Sequence, residues 1–216
     1  MKSIFSSFLK ECLPFSGKTT LLNIAEKSRG AFVNGPFGSD LLTKELQETG
    51  VPVIYIRDIK DGVYSRVSKV CVSGEKAHSL NVCSVVPGNI LISKVGTPPG
   101  IAAIYPTGEP NAIVTQDVIR LRLNSTMALP DYIVAYLNSP LGKLKISTIT
   151  IESTRVRFSL GDLKKLEIDL PPVSSQSKLS NRLCAVKGLI FSHQTSLAKL
   201  EELFASLQHR AFRGEL

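Results

Sequence analysis

The hydrophobic pattern changes character along this chain. Between about Phe32 and Leu170, short apolar runs, "VPVIYIRDI", "NILISKV", "GIAAIYP" and "AIVTQDVIRLRL", are separated by clusters of Gly, Pro, Asn and Asp. Runs of this length, rich in Val and Ile and bounded by turn formers, predict strands. "LPDYIVAYLNS" differs, because Leu129, Ile133, Val134 and Leu137 recur at helical spacing, and "LGDLKKL" reads as another short helix. Strands that come in a run before the helices predict a compact mixed domain of the α+β class, not a doubly wound sheet.

After Pro171-Pro172 the last 44 residues hold no proline and two glycines, which predicts one long helix. Ser174 or Ser175 is the expected N-cap, and Gly214 is expected to close the helix after Arg213, whose charge suits a carboxyl end. Apolar positions fall at Leu179, Leu183, Val186, Ile190, Leu197, Leu200, Phe204, Leu207 and Ala211, with His193 in the same series, so the spacing alternates four and three. At about 1.5 Å per residue such a helix is roughly 57 Å long. That exceeds what a domain of this size can cover, so the seam Leu183, Val186, Ile190, His193, Leu197, Leu200, Phe204 and Leu207 is expected to meet a partner helix in coiled-coil fashion. The competing reading packs the stripe against its own domain. His193 is either a register-setting polar residue or a histidine tolerated near a helix crossing. The expected organisation is therefore 1–30 as an N-terminal lead-in, 31–172 as the mixed domain and 173–216 as a coiled-coil-type C-terminal helix.

Composition narrows the partners. A chain of 216 residues with a formal charge of +8 can build one full domain plus an appendage, and its basic excess fits a polyanion, although lysines scattered on a solvated face produce the same number. Cysteines 12, 71, 83 and 184 have no C-x-x-C spacing, which favours free thiols in a reducing cytosol over disulfides or a zinc ribbon. Cys71, His78 and Cys83 lack a fourth ligand nearby, so no metal is expected. "MKSIFSSFL" is cut by Lys10 and Glu11 before it reaches the length of a signal-peptide core, and no run approaches a membrane span. A soluble, cytoplasmic protein with no membrane association is expected.

One stretch suggests a nucleotide site. "CLPFSGKTTLLN" ends in the Gly-Lys-Thr of a phosphate loop, but the first glycine that lets the backbone wrap the phosphates is replaced by Cys12, and no buried strand fits before it. The expected structure is a polar turn entering a helix over "TLLNIAEKS". No cofactor is expected.

Three stretches, in this order, resemble the target-recognition region of the specificity subunits of type I restriction-modification systems. "GPFGSDLLTKELQETGVPVIYIRDIKDG" is similar to the family's G-P-F-G-S-x-L, G-V-P-x-I and D-G turn. "VPGNILISKVGTPPGIAAI" resembles its P-G-D-I-L strand and G-T-x-x-G hairpin, with Asn89 in place of the usual Asp. "LGDLKKLEIDLPPVSSQSKL", with the closing "LFASLQHRAFRGEL", matches its L-x-x-L-x-I-x-L-P-P boundary and A-F-x-G-E-L helix end, while Ser175-Gln176 stands where the family usually has Glu-Gln. The resemblance spans about 180 residues and implies double-stranded DNA, DNA methyltransferase (modification) subunits and a restriction subunit as partners. It also implies that catalysis belongs to those partners and not to this chain. A complete specificity subunit has two recognition domains and two long helices; this chain carries one of each, as a natural half-subunit or a fragment of a two-domain subunit would, and its heptad seam predicts a homodimer.

Base identity is read in the major groove by side chains such as Arg, while phosphate contacts supply affinity and register. The richest cluster is "STITIESTRVRFSL", with Ser153, Thr154, Arg155 and Arg157; its alternative is a polar strand face with solvated arginines. In the family the segment before the boundary helix lies near DNA, which singles out Arg155 and Arg157. Gly35, Gly38 and Ser39 form a turn whose amides could meet a phosphate. Lys94 and Thr97 border the second glycine-rich turn, and Arg57 and Lys60 flank "DIKDG". These glycine turns are equally explained by backbone geometry alone. The other class of function is a scaffold that assembles subunits through the helix without reading sequence. A stand-alone methyltransferase is disfavoured, since "LNSP" does not supply an N-P-P-Y-type motif.

Overall fold

The structure, a computed structural model, describes residues 2–12, 14, 16–151 and 156–214. Helix α1 (Lys2–Cys12) precedes strand β1 (Gly17–Thr20), which pairs antiparallel with β12 (Glu167–Leu170), Gly17 opposite Leu170 and Thr20 opposite Glu167. This pairing corrects the helix expected over "TLLNIAEKS". Leu21 to Ile24 form a turn instead, and the Leu21 and Leu22 amides donate to Leu166 O at 3.1 Å and Lys164 O at 3.0 Å. A long-range ladder takes the backbone groups that a local helix would have paired, and burial of Leu21 and Ile24 secures it. Gly17-Lys18-Thr19 thus lies extended in a ribbon, without the geometry of a phosphate loop.

Among the described residues two four-stranded sheets carry the domain. In the first, β2 (Phe32–Asn34), β11 (Val118–Leu121), β8 (Ile90–Ser93) and β9 (Ala102–Ile104) lie in that order, all antiparallel. The second runs β6 (Cys71–Val72), β3 (Val51–Ile54), β10 (Ala112–Val114) and β7 (Ser84–Val85), with β3 and β10 parallel. Strands β4 (Ile59–Lys60) and β5 (Val63–Tyr64) form a hairpin. The period of two along a strand explains the layering. Ile90 and Ile92 share a core with Phe5, Tyr132, Tyr136 and Leu179, whereas Leu91 packs with Ala103, Val118, Ile54 and Val114 of both sheets. The first sheet is a middle layer, buried on both faces, so its strands read as unbroken apolar runs.

Helix α2 (Gly74–Ser79) is capped by Ser73, α3 (Pro130–Asn138) and α4 (Pro140–Thr148) are joined at Ser139, and α5 (Leu160–Lys165) is capped by Ser159, whose hydroxyl accepts from the Asp162 amide at 3.0 Å. The "LNSP" stretch has a structural task. The Asn138 amide accepts from Ala102 N at 3.1 Å and donates to Ala102 O at 2.8 Å, pairing the outer edge of β9 as another strand would. Within the sheet, the buried Arg120 of β11 donates to Gly30 O and Val82 O and ties two loops to the sheet. Burial, and after it the neighbouring Arg122 guanidinium, pushes Arg120 down to about 10, which leaves it charged at neutral pH.

Helix α6 (Val173–Phe212) starts at Pro172 with no side-chain cap, which corrects the expected Ser174 or Ser175 cap; the adjacent Gln176 is buried instead. Gly214 closes the end at φ +71° after Arg213. Leu183, expected on the partner seam, is 5% exposed in the domain's own core beside Leu179, because α6 crosses α1 and α3 over its first turns. Beyond the half-buried Val186, every described residue from Lys187 to Gly214 is exposed, so the packed-back reading does not hold for Ile190, His193, Leu197, Leu200, Phe204 and Leu207. Residues 1–30 are more than an approach to the domain, since Phe5, Phe8, Leu9, Leu21, Ile24 and Ala25 belong to the main core.

Cys12, Cys71, Cys83 and Cys184 are free thiols, and among the described residues no group of His, Cys, Asp and Glu is placed to hold a metal ion. No described helix is long and apolar enough to cross a membrane.

Candidate nucleic-acid interface

The strand register of the middle sheet brings several loops to one end. Asn34 ends β2 opposite Ile119, Ser93 ends β8 opposite Val118, and β9 begins at Ala102 opposite Ile92. The turns 35–42, 94–101 and 115–117 therefore leave the sheet together. Backbone hydrogen bonds tie them: Gly35 N–H donates to Val118 O at 3.3 Å, and Lys94 N–H to Asp117 O at 2.8 Å. The second sheet joins at the same place, because the Thr115 amide and hydroxyl both donate to Ile54 O, the last residue of β3, at 3.0 and 2.9 Å.

The segment after α4 completes the cluster. Gly96 N–H donates to Val156 O at 3.2 Å, and Arg157 bridges to both Val95 and Ile151. Lys94, Thr97 and Arg157, widely separated in sequence, thus come from one set of adjoining loops. Ser153, Thr154 and Arg155 lie outside the described residues. Ser39 belongs to the turn on the other side of 115–117, and it is exposed. Lys60 sits on the β4–β5 hairpin, whose Gly62 stands against Asn138 and Ala102 at the start of β9.

Arg57 is held more firmly than the sequence suggested. It follows β3 in a 3-10 turn, its guanidinium lies 4.8 Å from the centre of the Tyr55 ring, and its Nε donates to Ser68 Oγ. The turn is built around the buried Asp58 carboxylate, which accepts from Tyr55 N at 2.8 Å and Ser68 N at 2.6 Å. Tyr55, Asp58 and Ser68 are positioning residues that the sequence reading missed. The only local signal was a Tyr two residues before an Arg. Among the described residues none of Arg57, Lys60, Lys94 and Arg157 forms an ion pair, so their charge is available to an external anion.

Gly35 needs a correction. Its amide is taken by Val118 O and is not free for a phosphate. A Cβ at that position would stand 2.1 Å from Val114 O and 2.3 Å from the Thr115 carbonyl carbon, so the glycine is there for close backbone approach between β2 and β10.

Comparison with known proteins places the chain in a family. The family described as type I restriction modification DNA specificity domain matches residues 40–202. The specificity subunit of the Escherichia coli type I restriction enzyme EcoBI is 25% identical over 171 residues, covering 77% of this chain and 36% of that protein. The HsdS subunit of Thermoanaerobacter tengcongensis superposes with a TM-score of 0.61 at 16% identity, over 99% of this chain and 51% of that one. A chain from a structural study of type I restriction-modification complex assembly and conformational transition gives 0.64 at 17% identity, over 99% and 52%. At such identities the structural likeness is one of fold. The chain spans about half the length of those solved structures and about a third of the curated relative. With a match running from the first turn after β2 into the projecting half of α6, this chain belongs to the family of type I restriction-modification DNA specificity domains.

Proposed function

We propose that this chain reads one half of a split DNA target through the loop cluster at the end of its middle sheet, and that its projecting helix pairs with a second copy and docks methyltransferase and restriction subunits. The observation that carries the reading is that the Val95–Arg157 bridge brings Lys94 and Arg157, neither in an ion pair among the described residues, to one end of a family DNA specificity domain, with Arg57 following β3 and Lys60 on the β4–β5 hairpin, while the exposed half of the helix presents an apolar stripe. Rigid strands hold the loops, and the loops are free to differ in sequence, as base readout requires. Chemistry on DNA belongs to the partner subunits in this reading. The same arrangement on a cytoplasmic scaffold that does not read sequence would bind all duplexes alike.

The decisive test is a methylation assay with this chain and a cognate modification subunit on a randomised duplex library. Methylation confined to one split sequence supports reading; methylation at every methylatable base, or equal activity without this chain, rejects it. Binding to duplex DNA should also weaken steeply with salt, the log–log slope growing by about 0.9 for each phosphate neutralised. Titrations at several salt concentrations measure it, and a flat slope removes the phosphate contacts.

Arg157→Ala should lower discrimination at one base position by about 1–3 kcal/mol, leaving other positions unchanged. Library sequencing reads this directly. Uniform weakening over all sequences reassigns Arg157 to a phosphate, and an unchanged profile takes it out of the interface.

A further inference from the structure

Where α6 begins, a buried amide ties it to the domain. Gln176 is fully buried in the first turn, and its side chain satisfies both its oxygen and both its N–H groups. Oε1 accepts from Leu129 N at 2.8 Å, and Nε2 donates to Met127 O at 3.1 Å and Pro171 O at 2.8 Å. Leu129 is the N-cap of α3 and Pro171 follows β12, so this one side chain clamps α6 to a helix and to a strand end. Leu179 and Leu183 close the joint with apolar contacts. Farther out, the described bracing is the exposed pairs Arg182–Glu11 at 3.5 Å and Lys187–Asp131 at 3.6 Å, which hold little in water.

We infer that Gln176 is a positioning residue for target choice: it fixes the direction of α6 relative to the reading loops and thereby sets the spacer length that the paired chains accept. The inference rests on the split-target reading above. The lever is long, since a helix of 40 residues spans about 60 Å, and a 10° change at the joint moves its far end by about 10 Å. One added base pair shifts a half-site by about 3.4 Å along the duplex and turns it by about 35°. A stiff joint rejects that displacement, and a loosened one follows it. Each paired copy contributes its own joint, so any looseness enters twice.

The test uses the full chain, a half-site taken from library selection, and duplexes carrying two inverted half-sites whose spacer changes one base pair at a time. Gln176→Glu keeps the shape and the acceptor for Leu129 but sets a carboxylate oxygen against the Met127 and Pro171 carbonyls. Gln176→Ala removes all three bonds. Both should bind a single half-site duplex as the parent does, while preference for the best spacer over its neighbours falls about fivefold or more, the scale of one or two buried hydrogen bonds. Unchanged spacer preference in the folded variants overturns the inference, as does failure of both to fold, which would make Gln176 a folding residue alone. A parent chain without any spacer preference defeats the split-target reading itself, and that result appears before any variant is made.

Discussion

Leu197→Glu combined with Leu200→Glu is expected to convert a dimer into a monomer and to abolish recognition of a split target, with the globular domain still folded. Ile190, Leu197, Leu200, Phe204 and Leu207 lie on the part of α6 where every described residue from Lys187 to Gly214 is exposed, and Leu189 and Leu203 widen the stripe. Water does not favour such a surface, and a second copy laid antiparallel covers it with the same residues. Leu197 and Leu200 stand near the middle of the exposed seam, where a two-fold axis brings each close to its own counterpart. Burying a leucine is worth about 1.5–3 kcal/mol, so losing two from each copy removes at least roughly 6 kcal/mol. That compares with about 8 kcal/mol for a micromolar complex, before any repulsion between the new carboxylates. Sedimentation across a concentration series measures the effect, and circular dichroism reports the domain. A parent chain that is monomeric throughout, or a double variant that still dimerises, rejects the seam.

Gly35→Ala should lower stability by about 3 kcal/mol or more, among the largest effects of removing or adding one methyl group in this domain. The new Cβ would stand 2.1 Å from Val114 O, a backbone atom in a sheet, so β2 or β10 must move. Because Gly35, Val114 and Thr115 organise the loops proposed to meet DNA, binding should weaken along with stability. Gly38→Ala is the matched control: nothing lies within 4 Å of its Cβ, and its effect should stay within about 0.5 kcal/mol. Thermal melts of the two variants decide the matter. Equal melting temperatures would show that β2 and β10 yield to the methyl group without cost.

How much of this was legible beforehand depends on the range of the forces involved. The apolar runs at 51–54, 90–93, 102–104, 112–114 and 118–121 became strands, α3 formed where helical spacing indicated and α5 over "LGDLKKL", and the Pro171-Pro172 boundary starts the long helix. Those features rest on periodicity and local backbone chemistry, which a sequence carries in full. The ordered motifs also carried the family resemblance, because turn glycines and boundary prolines keep fixed places along the chain.

Tertiary contacts decided the rest. "TLLNIAEKS" suits a helix locally but lies opposite β12, some 150 residues away, and that ladder wins. The heptad series names Leu183 and Leu197 alike, yet only the path of α6 across α1 and α3 buries the first and exposes the second. Lys94, Thr97 and Arg157 had no sequence relation that would group them; the register of β8 against β11 and the bridge from Val95 to Arg157 did so. The sequence by itself therefore determined the class of fold, the long helix and the family, since each follows from short-range pattern. Which residues share a surface, which arginine is pinned by Tyr55 and Ser68, and at what point the helix leaves the core were settled only when distant segments paired, because burial and hydrogen bonding act through space and not along the chain.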